Sequence, residues 1–208
     1  METNYKIAYD KGWQELKART PSEVVIRRRV RFDEVKQQFA VKFFNEEYVL
    51  DWEQETVRRT SDGQDAEIIS AIIILNYLSF SDSCPEVRGS WVSLKEIPNG
   101  GALFFPAFRK NSIDALIHSF GKSPNLLLRC GAMMGGVPAP IGSISMVFQA
   151  LPMVPICVVL WEGDEEVSAN ATILYQPSVS ELLHIESLIG LGMYLADQLK
   201  KLADERLA

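Results

Sequence analysis

The protein has 208 residues, 47% apolar and 23% charged, and its formal net charge is −6 at pH 7. This length and composition are typical of a globular protein with a sizeable core, and we expect residues 1–208 to form a single domain. The acidic balance argues against a nucleic-acid-binding protein. The apolar segment at residues 68–80 is too short to cross a membrane. Because the first residues lack the basic and apolar regions of a signal peptide, we expect a cytoplasmic protein.

In the first half of the chain, spacing of apolar residues predicts a helix, three strands and a second helix. Phe39, Val41 and Phe43 alternate with polar residues, which is the period of a half-buried strand. Two helices are predicted at residues 5–17, ended by Thr20-Pro21, and at residues 66–80. The predicted strands are residues 35–44, 48–52 and 56–60.

Between the first helix and the strands lies the basic run Arg27, Arg28, Arg29 and Arg31. In an extended conformation, Arg27, Arg29 and Arg31 lie on one face and Arg28 lies on the other. Such a segment suits a charged sheet edge that resists aggregation. The alternative is a contact patch for an acidic partner.

The second half of the chain is predicted to contain a group of helices, then strands, and finally a long helix. Strands precede and follow a group of helices in runs, so the fold class is α+β: a mostly antiparallel sheet packed with several helices. A capping box at Ser178 and Glu181 is one start for the last helix, although Gly190 and Gly192 favour a start near Ile185. The elements are a strand at 102–105, helices at 111–120 (capped by Asn111 or Ser112) and 126–134, strands at 144–148, 156–162 and 167–175, and a final helix along Leu188, Leu191, Leu195, Leu199 and Leu202.

The apolar run before Trp161 predicts a strand buried on both faces, followed by an acidic hairpin turn at residues 162–166. Carboxylates paired on such a turn can perform acid–base chemistry or bind a divalent cation. The simpler interpretation is a solvated loop. His184 and Glu186, near the start of the last helix, are candidates to face this turn.

A second candidate segment places Phe104, Phe105 and Phe108 next to Arg109. Aromatic faces beside a guanidinium can hold a planar ligand by stacking and pair with its carboxylate. The alternative is a corner of the core with solvated basic residues. Further along, His118-Ser119-Phe120-Gly121 matches only the H-x-x-G part of a corrinoid lower-ligand motif. Asp114 lies four residues before the histidine rather than two, so we interpret the match as accidental.

Four blocks together resemble the family of domain of unknown function 3786. They are residues 91–108 (WVSLKEIPNGGALFFPAF), the Gly135-Gly136 turn, residues 151–175 (LPMVPICVVLWEGDEEVSANATILY) and residues 184–188 (HIESL). The resemblance implies a protein of anaerobic bacteria or archaea. Some members of the family are fused to iron–sulfur domains, and some are encoded near corrinoid enzymes. Cys84, Cys130 and Cys157 form no cluster, so an iron–sulfur role would need a partner. The family supplies no catalytic residues.

Three functional hypotheses follow. The first, implied by the resemblance, is a cofactor-binding protein for a corrinoid or other tetrapyrrole, without a metal site of its own. The second is an accessory protein that docks onto an iron–sulfur, redox or corrinoid methyl-transfer enzyme through the acidic turn or the basic run. The third is a hydrolase or metal-dependent enzyme using Asp164, Glu165, Glu166 and His184. The predicted cofactor-binding residues are Trp91, Phe104, Phe105, Phe108, Arg109, Trp161 and His184.

Overall fold

Two antiparallel sheets and their covering helices make up the protein in a computed structural model, which describes residues 2–86 and 89–207. The strands are β1 (Arg31–Asp33), β2 (Gln38–Phe43), β3 (Glu46–Asp51), β4 (Thr56–Arg59), β5 (Val92–Ser93), β6 (Val137–Ala139), β7 (Ile144–Leu151), β8 (Val154–Trp161) and β9 (Asn170–Tyr175). The α-helices are α1 (Glu2–Lys17), α2 (Pro21–Arg28), α3 (Ile68–Ser79), α4 (Gly101–Phe108), α5 (Asp114–Phe120), α6 (Pro124–Met133) and α7 (Ile185–Leu207). The α+β class is confirmed.

The first sheet is a meander in the order β1-β2-β3-β4. Phe39 pairs with Leu50 and Val41 with Tyr48, and these four side chains are all buried. The alternation predicted for this region is therefore confirmed, because every second residue of β2 points into the core.

The second sheet has the order β5-β9-β8-β7-β6, so β8 lies at its centre. Ile156, Cys157, Val158, Val159 and Leu160 are fully buried in succession, which confirms a strand covered on both faces. The two sheets join where the Phe44 N–H donates to the Ala150 carbonyl oxygen at 2.8 Å.

Helix α7 packs its leucines into this core and begins at Ile185, as the glycines predicted. The Asn76 side chain fixes that start, since its Oδ1 accepts the His184 N–H at 2.9 Å. Ser178 and Glu181 instead lie within a 3₁₀ turn, Pro177–Glu181, and do not cap α7.

Helix α2 corrects the prediction for residues 27–31. Thr20 and Glu23 form a capping box and Pro21 occupies the first turn, so the segment starts a helix rather than merely ending α1. Arg29 then adopts φ 53° and ends the helix before β1. The basic run is thus not one extended strand.

Helix α4 corrects a second prediction, the strand at residues 102–105. Gly100, with φ 119°, turns the chain into the helix. A π-helical turn, Arg109–Ile113, then connects α4 to α5 without a break. Asn111 and Ser112 are not caps, because their side chains donate to the Ala107 and Phe108 carbonyl oxygens one turn earlier. The short apolar run had no periodicity long enough to separate helix from strand.

Candidate functional site

The aromatic residues predicted to bind a cofactor divide between core and surface on α4. Phe108 is fully buried and packs against Gly192 of α7, where an added Cβ would lie 2.7 Å from its ring. Phe105 is half-buried, with the Lys95 Nζ 4.4 Å from its ring centroid. Phe104 is 39% exposed. The Phe105 and Phe108 rings lie 6.4 Å apart, so the structure brings these two together.

Of the remaining predicted cofactor residues, Arg109 directly follows α4 and the others lie elsewhere. Trp161 pairs with Asn170 at one end of β9. Trp91 precedes β5, which pairs with the other end of β9, and the two ends of β9 are about 17 Å apart. The His184 ring packs against Phe80, with centroids 4.8 Å apart. Arg109 is exposed and its Nε lies 3.3 Å from an oxygen of Asp114.

The acidic turn between β8 and β9 is held by Asp164. Its Oδ1 accepts the N–H of Val167 at 2.7 Å and that of Glu166 at 2.9 Å. These hydrogen bonds to the backbone hold the pKa of the Asp164 carboxyl below its usual range. Glu162, Glu165 and Glu166 are exposed around it. Asp164 therefore shapes the turn and keeps its negative charge.

Facing this turn is the end of α5, which supplies His118 and, just beyond the helix, Lys122. The two walls meet where a Cβ on Gly121 would lie 2.9 Å from the Ala169 Cβ. The groove between them, hereafter the turn groove, has a volume of about 500 Å³. Its lining residues are Ile117, His118, Gly121, Lys122, Glu162, Gly163, Asp164, Val167, Ser168 and Ala169.

The turn groove thus pairs two features that the sequence presents separately, the H-x-x-G segment and the acidic turn. The expected neighbour of the turn, His184, lines different cavities beside Phe80 and α1. Lys122 was not predicted as a site residue from the sequence. Lys122 reaches the groove only because two segments some forty residues apart come into contact, and no local spacing in the sequence encodes that contact.

The turn groove can bind a ligand that carries both anionic and hydrogen-bond-donating groups, because its two walls differ in charge. An ammonium and an imidazole on one wall can hold an anionic group, while two carboxylates on the other accept hydrogen bonds from cations or amides. Within residues 2–86 and 89–207, no three His, Cys, Asp or Glu side chains are arranged to hold a metal ion. Burial raises the pKa of the Cys157 thiol to about 12, which keeps this thiol protonated and unreactive.

A family model described as "Domain of unknown function (DUF3786)" matches residues 20–198, which include both walls of the turn groove. The chain belongs to this family. No curated protein and no solved structure matches it. Among the helices that the structure describes, none has the length and apolar character needed to cross a membrane.

Proposed function

We propose that this DUF3786 protein binds a small cofactor-type ligand in the turn groove, and that the ligand is a corrinoid or other tetrapyrrole. The observation that carries the proposal is the placement of His118 and Lys122 opposite Glu162 and Asp164 across one groove. Its volume lies within the roughly 300–1,000 Å³ range of ligand sites. We place this function in the cytoplasm, in anaerobic metabolism.

The groove's residue types suit the edge groups of a tetrapyrrole. The exposed imidazole of His118 would hold the metal of such a cofactor through a ring nitrogen. Lys122 can pair with a peripheral carboxylate, while Glu162 and Asp164 can accept hydrogen bonds from peripheral amides. These four side chains support a ligand of this class. We therefore propose the turn groove as the ligand site, instead of the aromatic cleft expected around Phe104, Phe105 and Phe108.

Two histidines in separate cavities allow a matched test. Purified protein is titrated anaerobically with hydroxocobalamin and, separately, haem, and the absorption spectrum is followed. We expect a saturable spectral shift that His118→Ala abolishes and His184→Ala leaves unchanged. Lys122→Ala should weaken binding about tenfold, as expected for loss of one charged contact.

The second candidate is a docking function on a redox or methyl-transfer enzyme, with an iron–sulfur or corrinoid enzyme as partner. The observation that favours it is the acidic turn itself, where Glu165 and Glu166 are exposed outside the groove. The basic run is a poorer contact surface, because Arg28 is buried and Arg27 pairs with Asp82. Co-purification with such an enzyme from the native host, lost in Glu165→Lys/Glu166→Lys, tests this candidate.

A further inference from the structure

Helix α4 presents apolar side chains to solvent. Ala102, Leu103, Phe104, Pro106 and Ala107 are all exposed, and Leu103 reaches 76% exposure. Only the two ends of the helix, Gly101 and Phe108, are buried. A contiguous apolar surface of this kind marks an interaction site rather than a random exposed side chain.

The same helix is held rigidly at both ends. A Cβ on Gly101 would collide with the Leu94 carbonyl oxygen, so the start of α4 lies directly on the preceding turn. At the other end Phe108 packs against Gly192 of α7. Because the surface is ordered in advance, a binding partner does not have to supply the free energy of ordering it.

Basic residues border this apolar surface and outnumber the acidic ones beside it, in an otherwise acidic protein. Lys95 lies over the Phe105 ring, and Arg109 and Lys110 follow the last turn of α4. The nearby acidic residues are Glu96, which accepts hydrogen bonds from Ser93, and Asp114, which pairs with Arg109 and leaves Lys95 and Lys110 as the cations for a partner. The complementary surface therefore needs apolar groups with carboxylates around them.

The β8–β9 turn carries both features. Trp161 is 40% and Val167 62% exposed, on either side of the carboxylates. Glu165 and Glu166 are exposed and do not line the turn groove. Asp164 closes the turn by accepting the backbone N–H groups of Glu166 and Val167. Apolar groups and a negative rim thus stand together on one hydrogen-bonded turn.

We infer that a second copy of this chain docks its α4 on the β8–β9 turn, through the apolar side chains and the opposite charges. Residues 101–120 form a continuous helical segment, so Leu103 lies about 20 Å along it from His118 and the turn. The two surfaces are therefore separate on one molecule, and the contact between copies is head-to-tail. Since α4 has only 8 residues, we expect its contact with one turn to belong to the weak, reversible class.

Sedimentation velocity over a range of concentrations tests the inference. The unaltered protein should show a mean mass that rises with concentration and falls with added salt, because the charged contacts are screened. Leu103→Asp should weaken association about tenfold or more, since it removes an apolar anchor. Val35→Asp is the matched control, because Val35 is 94% exposed in a different part of the fold and should change nothing.

Mixing two defective variants makes the test specific. Leu103→Asp keeps an intact turn but a defective α4, and Glu165→Lys/Glu166→Lys keeps an intact α4 but a defective turn. Each variant alone should therefore be monomeric. In the mixture the intact α4 of one variant can dock on the intact turn of the other, which gives a dimer that cannot add further copies. A protein that stays monomeric at every concentration overturns the inference, as does a mixture without dimers. These substitutions lie outside the turn groove, so a failed cobalamin titration and a failed self-association are separate results.

Discussion

Arg28 and Tyr77 each bind the other's main-chain carbonyl. The Arg28 Nε donates to the Tyr77 oxygen at 2.5 Å, and the Tyr77 hydroxyl donates to the Arg28 oxygen at 2.7 Å. The Arg28 guanidinium also donates to the carbonyl oxygens of Ser81 and Ser83. One buried arginine therefore fastens α2 to the end of α3 and to the loop that follows it.

Arg28→Met should lower the free energy of unfolding by about 2–4 kcal/mol, because it removes the donor to the buried Tyr77 carbonyl group and to the partly buried carbonyl groups of Ser81 and Ser83. Urea denaturation followed by circular dichroism measures the change. Arg31→Met is the control, since the Arg31 side chain is 76% exposed and its ion pair with Glu47 is a surface pair. Equal losses in the two variants would mean that the buried network contributes no more than a surface charge.

Two glycines of α7 should respond in opposite directions to alanine. Gly192→Ala should destabilise by about 1–3 kcal/mol, because the new Cβ would overlap the Phe108 ring, which is fixed in the core. Gly190→Ala should be neutral or stabilising by up to about 1 kcal/mol. Its Cβ would meet the Ile73 Cδ1 at 3.4 Å, the end of a flexible side chain. Thermal and urea denaturation of the two variants measures the difference. A Gly192→Ala variant more stable than Gly190→Ala would contradict the close packing of Gly192 against Phe108.

Asp164 should make the stability of the acidic turn depend on pH. Its folded-state pKa is lowered by the N–H groups of Val167 and Glu166, so its contribution is present at neutral pH. That contribution is lost as the pH falls through the lowered folded-state pKa, where the carboxylate is protonated. The difference in melting temperature between the unaltered protein and Asp164→Ala should therefore narrow on acidification.

Asp164→Asn is the control for charge, because an amide oxygen can accept the same two N–H groups without titrating in this range. Its stability relative to Asp164→Ala should be independent of pH. An NMR titration of the Asp164 carboxyl that gave a pKa above its ordinary value of 3.8 would refute the role assigned to Asp164 in shaping the turn.

Periodicity in the sequence predicted the elements whose burial follows a regular pattern. Strand β2 alternates, β8 is apolar throughout, and α7 carries a leucine stripe, and each forms as expected. Helix α2 was missed although Thr20-Pro21-Ser22-Glu23 is a complete start signal, because the following arginines were interpreted as extended. The burial of Arg28 depends on carbonyl groups some fifty residues away, which sequence spacing does not reveal.

The candidate site was predicted in parts and assembled wrongly. The acidic turn and the His118–Gly121 segment were both noted, but the H-x-x-G match was interpreted as accidental and the turn was paired with His184. The backbone contact of His184 with Asn76 and its ring contact with Phe80 hold it against the end of α3, and it does not line the turn groove. Which histidine faces the turn is decided by the close approach of Gly121 and Ala169, a tertiary contact. Family membership, which rests on whole blocks of sequence, was predicted correctly.

The anaerobic titration with hydroxocobalamin is the most direct test of the proposed ligand site, performed on the unaltered protein, His118→Ala and His184→Ala in parallel. We predict a saturable spectral shift in the unaltered protein and in His184→Ala, and none in His118→Ala. A shift that survives His118→Ala but disappears in His184→Ala, or no shift in any of the three, would contradict binding in the turn groove.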